Sequence, residues 1–462
     1  MTLIKNISGF RGTIGGQNNE NLTPVDIVSS IAGFSKLIKE NNPNNNNLTV
    51  ITGRDGRKSG EMIQSIVNSV FSSMGINVID AGLSTTPTLC WGVLNNDAVA
   101  GLMITASHNP QEYNGLKFFN DEGEFLSKED VTKLIEYSEI KTHSFTQNES
   151  LGTISKYDNL IDDHIQAIVN LDILPLKKIK ELNLYVVADA INSGGAIALP
   201  KLLEKLNIRY KIINSEVEGV FNHTPEPLAE NLKDLSQEIL NNNADFGIAV
   251  DPDVDRLVFF DENGKILGEE YTQVFCSDFV LSKNKGNTVS TLSSSNALKD
   301  LTESYGGNYF FTPVGEMNVV KKMKEVNSIV GGEGGGGIIY PELHYGRDAL
   351  VGIVLFLGLL VNKDCKVSDL KSNYPVYFMK KLKVLLKDDK IIDKIFIDIT
   401  NKYSDLSPNT DDGVRIDFED GWVHMRKSNT EPIVRIFSES KDQENADNLA
   451  IKIQKEILLL GG

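Results

Sequence analysis

The segment Asp251-Pro-Asp-Val-Asp-Arg256 sets carboxylates at three alternate positions, directly after the apolar, β-branched run Phe246 to Val250. That run reads as a strand, so the acids share one loop at its end. Carboxylates held so close repel one another unless a cation lies among them, and their hard oxygens suit Mg²⁺. The segment Thr105-Ala-Ser-His-Asn-Pro110 also follows a predicted strand. A Ser hydroxyl held there is a weak nucleophile, able to carry a phosphoryl group where a metal neutralises the developing charge. Lys117, in Tyr113-Asn-Gly-Leu-Lys117, lies close enough along the chain to act as acid or base. Burial and nearby Arg would lower its pKa.

Two further loops carry polar chemistry. Gly331-Gly-Glu-Gly-Gly-Gly-Gly337 follows the run Ser328 to Val330 and precedes Tyr340-Pro-Glu-Leu-His-Tyr-Gly-Arg-Asp348. So many Gly would suit a flexible linker, but the flanking strand and polar stretch favour backbone close to a ligand, with Glu333 facing sugar hydroxyls. Arg426-Lys-Ser-Asn-Thr-Glu-Pro432, with Arg435 beyond it, gathers guanidinium, hydroxyl and backbone N–H groups that suit a phosphate. Two other readings of the acidic loop fail. Glu262 stands where an EF-hand puts its last ligand, but Arg256 replaces the required Gly and Leu257 to Phe260 reads as strand. A haloacid-dehalogenase-type phosphatase wants Thr or Val where this chain has Asp255.

The elements that must position these loops alternate. Leu48 to Thr52, Ile76 to Ala81, Val99 to Thr105, Leu184 to Ala188, Phe246 to Val250 and Ser328 to Val330 read as short strands. Glu61 to Met74, Leu199 to Leu206, Leu228 to Asn241 and Ala349 to Val361 have helical spacing. The pattern is α/β with largely parallel pairing, and such sheets bind ligands at the carboxyl ends of their strands. A weak echo links Thr52-Gly-Arg-Asp-Gly-Arg-Lys-Ser-Gly60 to Ala188-Asp-Ala-Ile-Asn-Ser-Gly-Gly195. After about residue 370 the character changes. A hairpin (Val414 to Phe418, Trp422 to Met425), a strand from Ile433 to Phe437 and an amphipathic helix from Glu444 to Leu460 form a separate α+β domain. The expected domains are 1–155, 156–257, 258–370 and 371–462.

Composition narrows the function. A chain of 462 residues exceeds one hydrophobic core, which stops growing near about 250–300 residues. A net charge of −17 argues against nucleic acid or an anionic membrane as partner. The apolar run Ala349 to Val361 is too short to span a bilayer. Cys90, Cys276 and Cys365 have no metal spacing and read as reduced thiols of a cytoplasmic protein. Lys5 and Asn6 interrupt the apolar stretch that a signal peptide would need.

In this order and at these intervals, the four loops resemble the signature of the α-D-phosphohexomutase family, over essentially the whole chain. Thr105 to Lys117 resembles its phosphoserine motif, Asp251 to Arg256 its Mg²⁺ loop, Gly332 to Gly337 its sugar loop and Arg426 to Pro432 its phosphate loop. Phe10-Arg11-Gly12 resembles the family's N-terminal motif, and Thr312 to Glu316 its ring-orientation loop. The resemblance implies three related α/β domains and a smaller C-terminal α+β domain around one cleft. It implies a hexose phosphate substrate, a hexose 1,6-bisphosphate intermediate, and a monomer or homodimer.

The roles it implies are these. Ser107 carries the phosphoryl group, and Mg²⁺ lies between Ser107, Asp251, Asp253 and Asp255. His108 and Arg256 add positive charge, and Lys117 serves as one acid/base. Arg11, Gly315, Glu316, Glu333, Gly335, Arg426, Ser428, Asn429, Thr430 and Arg435 bind substrate. Many members carry Ser and His where this chain has Gly335 and Gly337, which makes His344 the candidate for the second acid/base. The double Gly before Glu333 looks more like phosphoglucosamine mutases and archaeal-type phosphohexomutases. Glucosamine 6-phosphate is therefore the expected substrate, with Glu316, Glu333 or Glu342 near its amino group. A phosphoglucomutase/phosphomannomutase of broad specificity is the alternative.

Overall fold

The computed structural model describes residues 2–140, 142–386, 391–427 and 433–461. Four sheets follow one another along the chain. In the first, Ala100–Ile104, Thr49–Arg54, Asn77–Leu83 and Ile154–Lys156 are parallel neighbours. Tyr113–Phe119, Gly9–Thr13 and Ile4–Asn6 extend it antiparallel from Ala100–Ile104. In the second, Arg209–Ile213, Tyr185–Asp189 and Phe246–Val250 are parallel, and Leu257–Phe260 closes the edge antiparallel. In the third, Tyr309–Thr312, Asn287–Thr291 and Ser328–Glu333 are parallel, and Gly337–Tyr340 and His344–Arg347 follow antiparallel. The fourth is antiparallel throughout, with the helix Gln443–Gly461 against it.

Parallel pairing thus fills the middle of each α/β sheet, while one side is antiparallel, because a short loop can return a chain only as an antiparallel neighbour. The first three sheets share one such device. A buried parallel strand ends in a loop, and the chain comes back beside it: Ala100–Ile104 to Tyr113–Phe119, Phe246–Val250 to Leu257–Phe260, and Ser328–Glu333 to Gly337–Tyr340. The serine loop, the aspartate loop and the glycine-rich loop are these three connections, so equivalent points of three sheets supply the chemistry.

The expected helices form, though the one expected from Leu199 already starts at Gly195. Ala349–Lys363 is buried along most of its length and is capped by Asp348, whose side chain accepts from the Leu350 and Val351 amides. The helix expected from Leu228 begins only at Lys233, because the Asn231 and Leu232 amides close tight turns on the Leu228 and Ala229 carbonyls. Cys90, Cys276 and Cys365 are free thiols. Among the described residues, no helix is long and apolar enough to cross a membrane.

Candidate active site

Ser107 sits in a left-handed backbone conformation, φ 48°, that ordinary residues avoid, so its loop must be held from outside. Arg57 holds it. This buried guanidinium donates to the carbonyls of Ser107 (2.6 Å), Asn109 (2.7 Å), Pro110 (2.7 Å) and Tyr113 (2.9 Å). Asp55 fixes Arg57 from behind at 3.1 Å and accepts from Thr105 Oγ1, which in turn receives the Ser107 amide. Held in this way, Ser107 Oγ donates to Asp251 Oδ2 at 2.8 Å and has His108 Nδ1 at 3.3 Å. The two echoed loops also meet here: the Gly56 amide donates to Ser193 Oγ, which donates to the Pro252 carbonyl.

Asp251, Asp253 and Asp255 are all buried, and each brings a carboxylate oxygen within 4.8 Å of the others. Lys117 Nζ bridges Asp253 (2.6 Å) and Asp255 (2.9 Å), and Thr86 Oγ1 donates to Asp253 at 2.5 Å. The remaining oxygens, Asp253 Oδ1 and Asp255 Oδ1, are buried with no hydrogen-bond partner. Unsatisfied carboxylate oxygens in a dry loop fit a divalent cation, and their hardness fits Mg²⁺. Burial, with Asp255 and Asp253 adding to it, pushes the Asp251 carboxyl well above the usual range. For Asp255, burial pushes upward too, but Arg347, Lys117 and Arg256 outweigh it and hold the carboxyl far down.

Lys117 differs from expectation. Burial lowers its pKa as foreseen, but Asp253 and Asp255 raise it by more, so the ammonium is held charged. His108 differs in the opposite sense. Arg256 beside it, then burial, then Arg11 push its pKa well below the ordinary value, so it is a neutral imidazole rather than an added positive charge.

One cleft of 370 Å³ is lined by Ser107 and His108 together with Arg11, Arg256, Gly315, Glu316, Glu333, Arg347, Arg426 and Arg435, while Lys117 and the three aspartates are not among its lining residues. Five guanidiniums around one cleft provide the local positive field that an acidic protein needs to draw in an anion. Arg347 is the hub of the sugar-facing side. Its guanidinium reaches Asp255 at 2.8 Å, Glu316 at 2.8 Å and Glu333 at 2.7 Å, joining the aspartate, ring-orientation and glycine-rich loops. Glu333 also accepts from the Gly315 amide at 3.1 Å, which ties two of those loops directly. A Cβ at Gly335 would lie 3.3 Å from Arg256 Nη1, so the bare backbone there leaves the guanidinium its room. Asp412 binds Arg426 at 2.6 Å and the Val314 amide at 2.9 Å, which links the C-terminal domain to the ring-orientation loop.

Other expected residues lie elsewhere. His344 is buried with Asp348 and His164 and does not line the cleft. Glu342 binds the Tyr340 hydroxyl away from the cleft, so no 2-amino group in it is within its reach. Ser428, Asn429 and Thr430 lie outside the described residues. Sequence reasoning did not single out Arg57 and Arg347. Both lie inside segments noted for their pattern, Thr52 to Gly60 and Tyr340 to Asp348, but no role was expected of either.

Family models match in chain order. The alpha/beta/alpha domains I, II and III of phosphoglucomutase/phosphomannomutase cover residues 3–145, 162–264 and 268–377, and the C-terminal domain covers 365–456. The chain is 36% identical over 458 residues to a phosphoglucomutase/phosphomannomutase of Thermococcus kodakarensis, covering 97% of this chain and 98% of that protein. It is 31% identical to a phosphoglucosamine/phosphogalactosamine mutase of Sulfurisphaera tokodaii, covering 97% of each. Among solved structures, it matches a phosphoglucomutase/phosphomannomutase family protein of Burkholderia thailandensis with a TM-score of 0.84 at 23% identity, covering 99% of this chain and 97% of that one. It also matches pp63/parafusin of Paramecium with a TM-score of 0.81 at 16% identity, covering 100% and 97%, which shows the shared fold.

Proposed function

This chain belongs to the phosphoglucomutase/phosphomannomutase family of phosphohexomutases, and on that premise we propose that it moves a phosphoryl group between the 6- and 1-positions of a hexose through an ester on Ser107. The observation that carries the proposal is the Ser107 hydroxyl, held 2.8 Å from Asp251 on a cleft walled by Arg11, Arg256, Arg347, Arg426 and Arg435. In one half-reaction a free sugar hydroxyl oxygen bonds to phosphorus, the phosphorus–Oγ bond of phosphorylated Ser107 breaks, and the hydroxyl proton leaves to a base. The Ser107 oxygen takes a proton in return. The resulting hexose 1,6-bisphosphate turns in the cleft and returns its other phosphoryl group to Ser107.

His108, on the cleft wall beside Ser107, is unprotonated, but the Arg256 and Arg11 charges that keep it so also make it a weak base. Lys117 is held charged by Asp253 and Asp255, so it cannot take a proton, and its raised pKa makes it a weak donor. Arg426 and Arg435 suit the phosphate that is not reacting. Asp251, Asp253 and Asp255, with the phosphate on Ser107, would hold Mg²⁺, which when bound neutralises charge on the transferring phosphoryl group.

For the sugar, we carry forward glucosamine 6-phosphate to glucosamine 1-phosphate, supported by the Gly331-Gly-Glu333 pattern and by relatives named phosphoglucosamine mutases. A broad glucose and mannose specificity is the second reading. It is favoured by Arg347, which already engages Glu316 and Glu333 and so offsets the negative charge that would attract an ammonium. Comparing kcat/KM for the 1-phosphates of glucosamine, glucose and mannose decides between them. A preference of about tenfold for glucose or mannose, roughly 1.4 kcal/mol, overturns the glucosamine reading and leaves the phosphoryl relay standing.

A further inference from the structure

The strand His344–Arg347 delivers Arg347 to the cleft, and both of its ends run into one buried polar cluster. His344 Nε2 lies 3.4 Å from Asp348 Oδ2, and His164 Nε2 lies 3.2 Å from the same oxygen. All three side chains are almost fully buried, at 3%, 0% and 0% exposure for His344, His164 and Asp348, yet none of them lines the cleft. The cluster joins three parts of the chain. His164 comes from the helix Leu160–Val169, stacks on Trp91 with ring centres 5.6 Å apart, and has its Nδ1 3.0 Å from Thr88 Oγ1.

Two His and an Asp could suggest a transition metal, but the ring protons argue against one. The Gly346 amide points at His344 Nδ1 at 2.9 Å, which makes that nitrogen an acceptor and puts the ring proton on Nε2, facing Asp348. Thr88 Oγ1 receives the Thr85 hydroxyl at 2.8 Å and so has its own proton free for His164 Nδ1, which leaves His164 Nε2 protonated as well. His344 therefore presents its Nε2–H to Asp348 Oδ2, and His164 sets its Nε2–H 3.2 Å from the same oxygen, an electrostatic contact not aligned as a hydrogen bond, while Asp348 Oδ1 accepts from the Leu350 and Val351 amides. The next residue extends the link. The Ala349 amide donates to the carbonyl of Val254, a β-branched residue at φ 62° between Asp253 and Asp255.

We infer that the His164–Asp348–His344 clasp holds the Arg347 strand and the aspartate loop in register, so that Arg347 can reach Asp255, Glu316 and Glu333 together. His164 and Asp348 are then positioning residues for the mutase reaction, a role that rests on the reading above. The clasp is a polar network in a dry interior, where one missing partner leaves buried groups unsatisfied and strands a donor or acceptor.

His164→Phe removes the donor, and His164→Gln keeps an N–H near the Nε2 position. Asp348→Asn keeps the helix cap but turns a double acceptor partly into a donor. His164→Phe and Asp348→Asn should lower kcat/KM by about tenfold or more per folded molecule, and His164→Gln should restore it to within about threefold. In an Arg347→Lys background, His164→Phe should cost less than about threefold further, because the two residues act through one hub. An equal loss in both backgrounds, or full activity of His164→Phe, overturns the inference. If His164→Phe does not fold, Asp348→Asn carries the same comparison. A crystal structure of the variant gives a readout independent of turnover. Arg347 displaced from Glu316 and Glu333 supports the clasp, and Arg347 in place refutes it, whereas a wild type inactive on every hexose phosphate refutes only the mutase reading.

Discussion

Lys117 Nζ lies 2.6 Å from Asp253 Oδ2, and both groups are buried, so a strand of the first sheet supplies the cation that a loop of the second sheet needs. Removing one partner of a buried ion pair leaves the other uncompensated, at about 3–5 kcal/mol. Lys117→Met should therefore lower the Tm of metal-free protein by several degrees. Added Mg²⁺ should restore more of it than it adds to wild type, because the same two carboxylates then find a cation. Calorimetry with and without Mg²⁺ measures this, and an equal metal-induced shift in both proteins would count against a shared site.

The unpartnered oxygens of Asp253 and Asp255 make a second expectation independent of Lys117. Activity should vanish in excess chelator and return with Mg²⁺. Unchanged turnover with metal content confirmed at zero would leave the loop a structural role only.

Arg347 should not tolerate its nearest relative. Three carboxylates share one planar guanidinium, and a lysine ammonium offers a point charge in place of that fork. Arg347→Lys should lose about tenfold or more in kcat/KM, or roughly 1.4 kcal/mol. Steady-state kinetics within about threefold of wild type would show that the hub is not needed.

Acid should loosen the seat of the C-terminal domain. His424 joins Ser293 Oγ at 2.8 Å to the Asp412 carbonyl at 2.6 Å, and burial, partly opposed by Asp412, lowers its pKa to about 4. Between about pH 6.5 and 4 the unfolded chain holds the proton that the folded one lacks, so stability rises with pH through that window. The contribution is fully present above about pH 6.5 and is lost on acidification, by about 3 kcal/mol at most. Thermal unfolding across that range should fall more steeply for wild type than for His424→Asn, and parallel curves would rule His424 out.

The sequence disclosed those parts of the site that are contiguous. Asp251, Asp253 and Asp255 crowd one loop and Ser107 ends one strand, so local spacing was enough to find them. Arg57 and Arg347 act at a distance: they meet the Ser107 carbonyl and Asp255 across sequence separations of 50 and 92 residues, which no local pattern encodes. His344 was misplaced for the same reason, since its partner His164 comes from another sheet's helix layer. The charge states of Lys117 and His108 depended on which groups the fold set beside them. Of the antiparallel return strands, Leu257 to Phe260 was visible as an apolar run, but its direction followed from a loop length that only the paired structure makes plain.

The central claim is a covalent relay through Ser107, and turnover of Ser107→Ala tests it most directly. With a hexose 1-phosphate, a trace of the bisphosphate and Mg²⁺, the folded variant should show kcat reduced by at least about 10³, because no residue remains to carry the phosphoryl group. Turnover close to wild type in that variant would contradict the account.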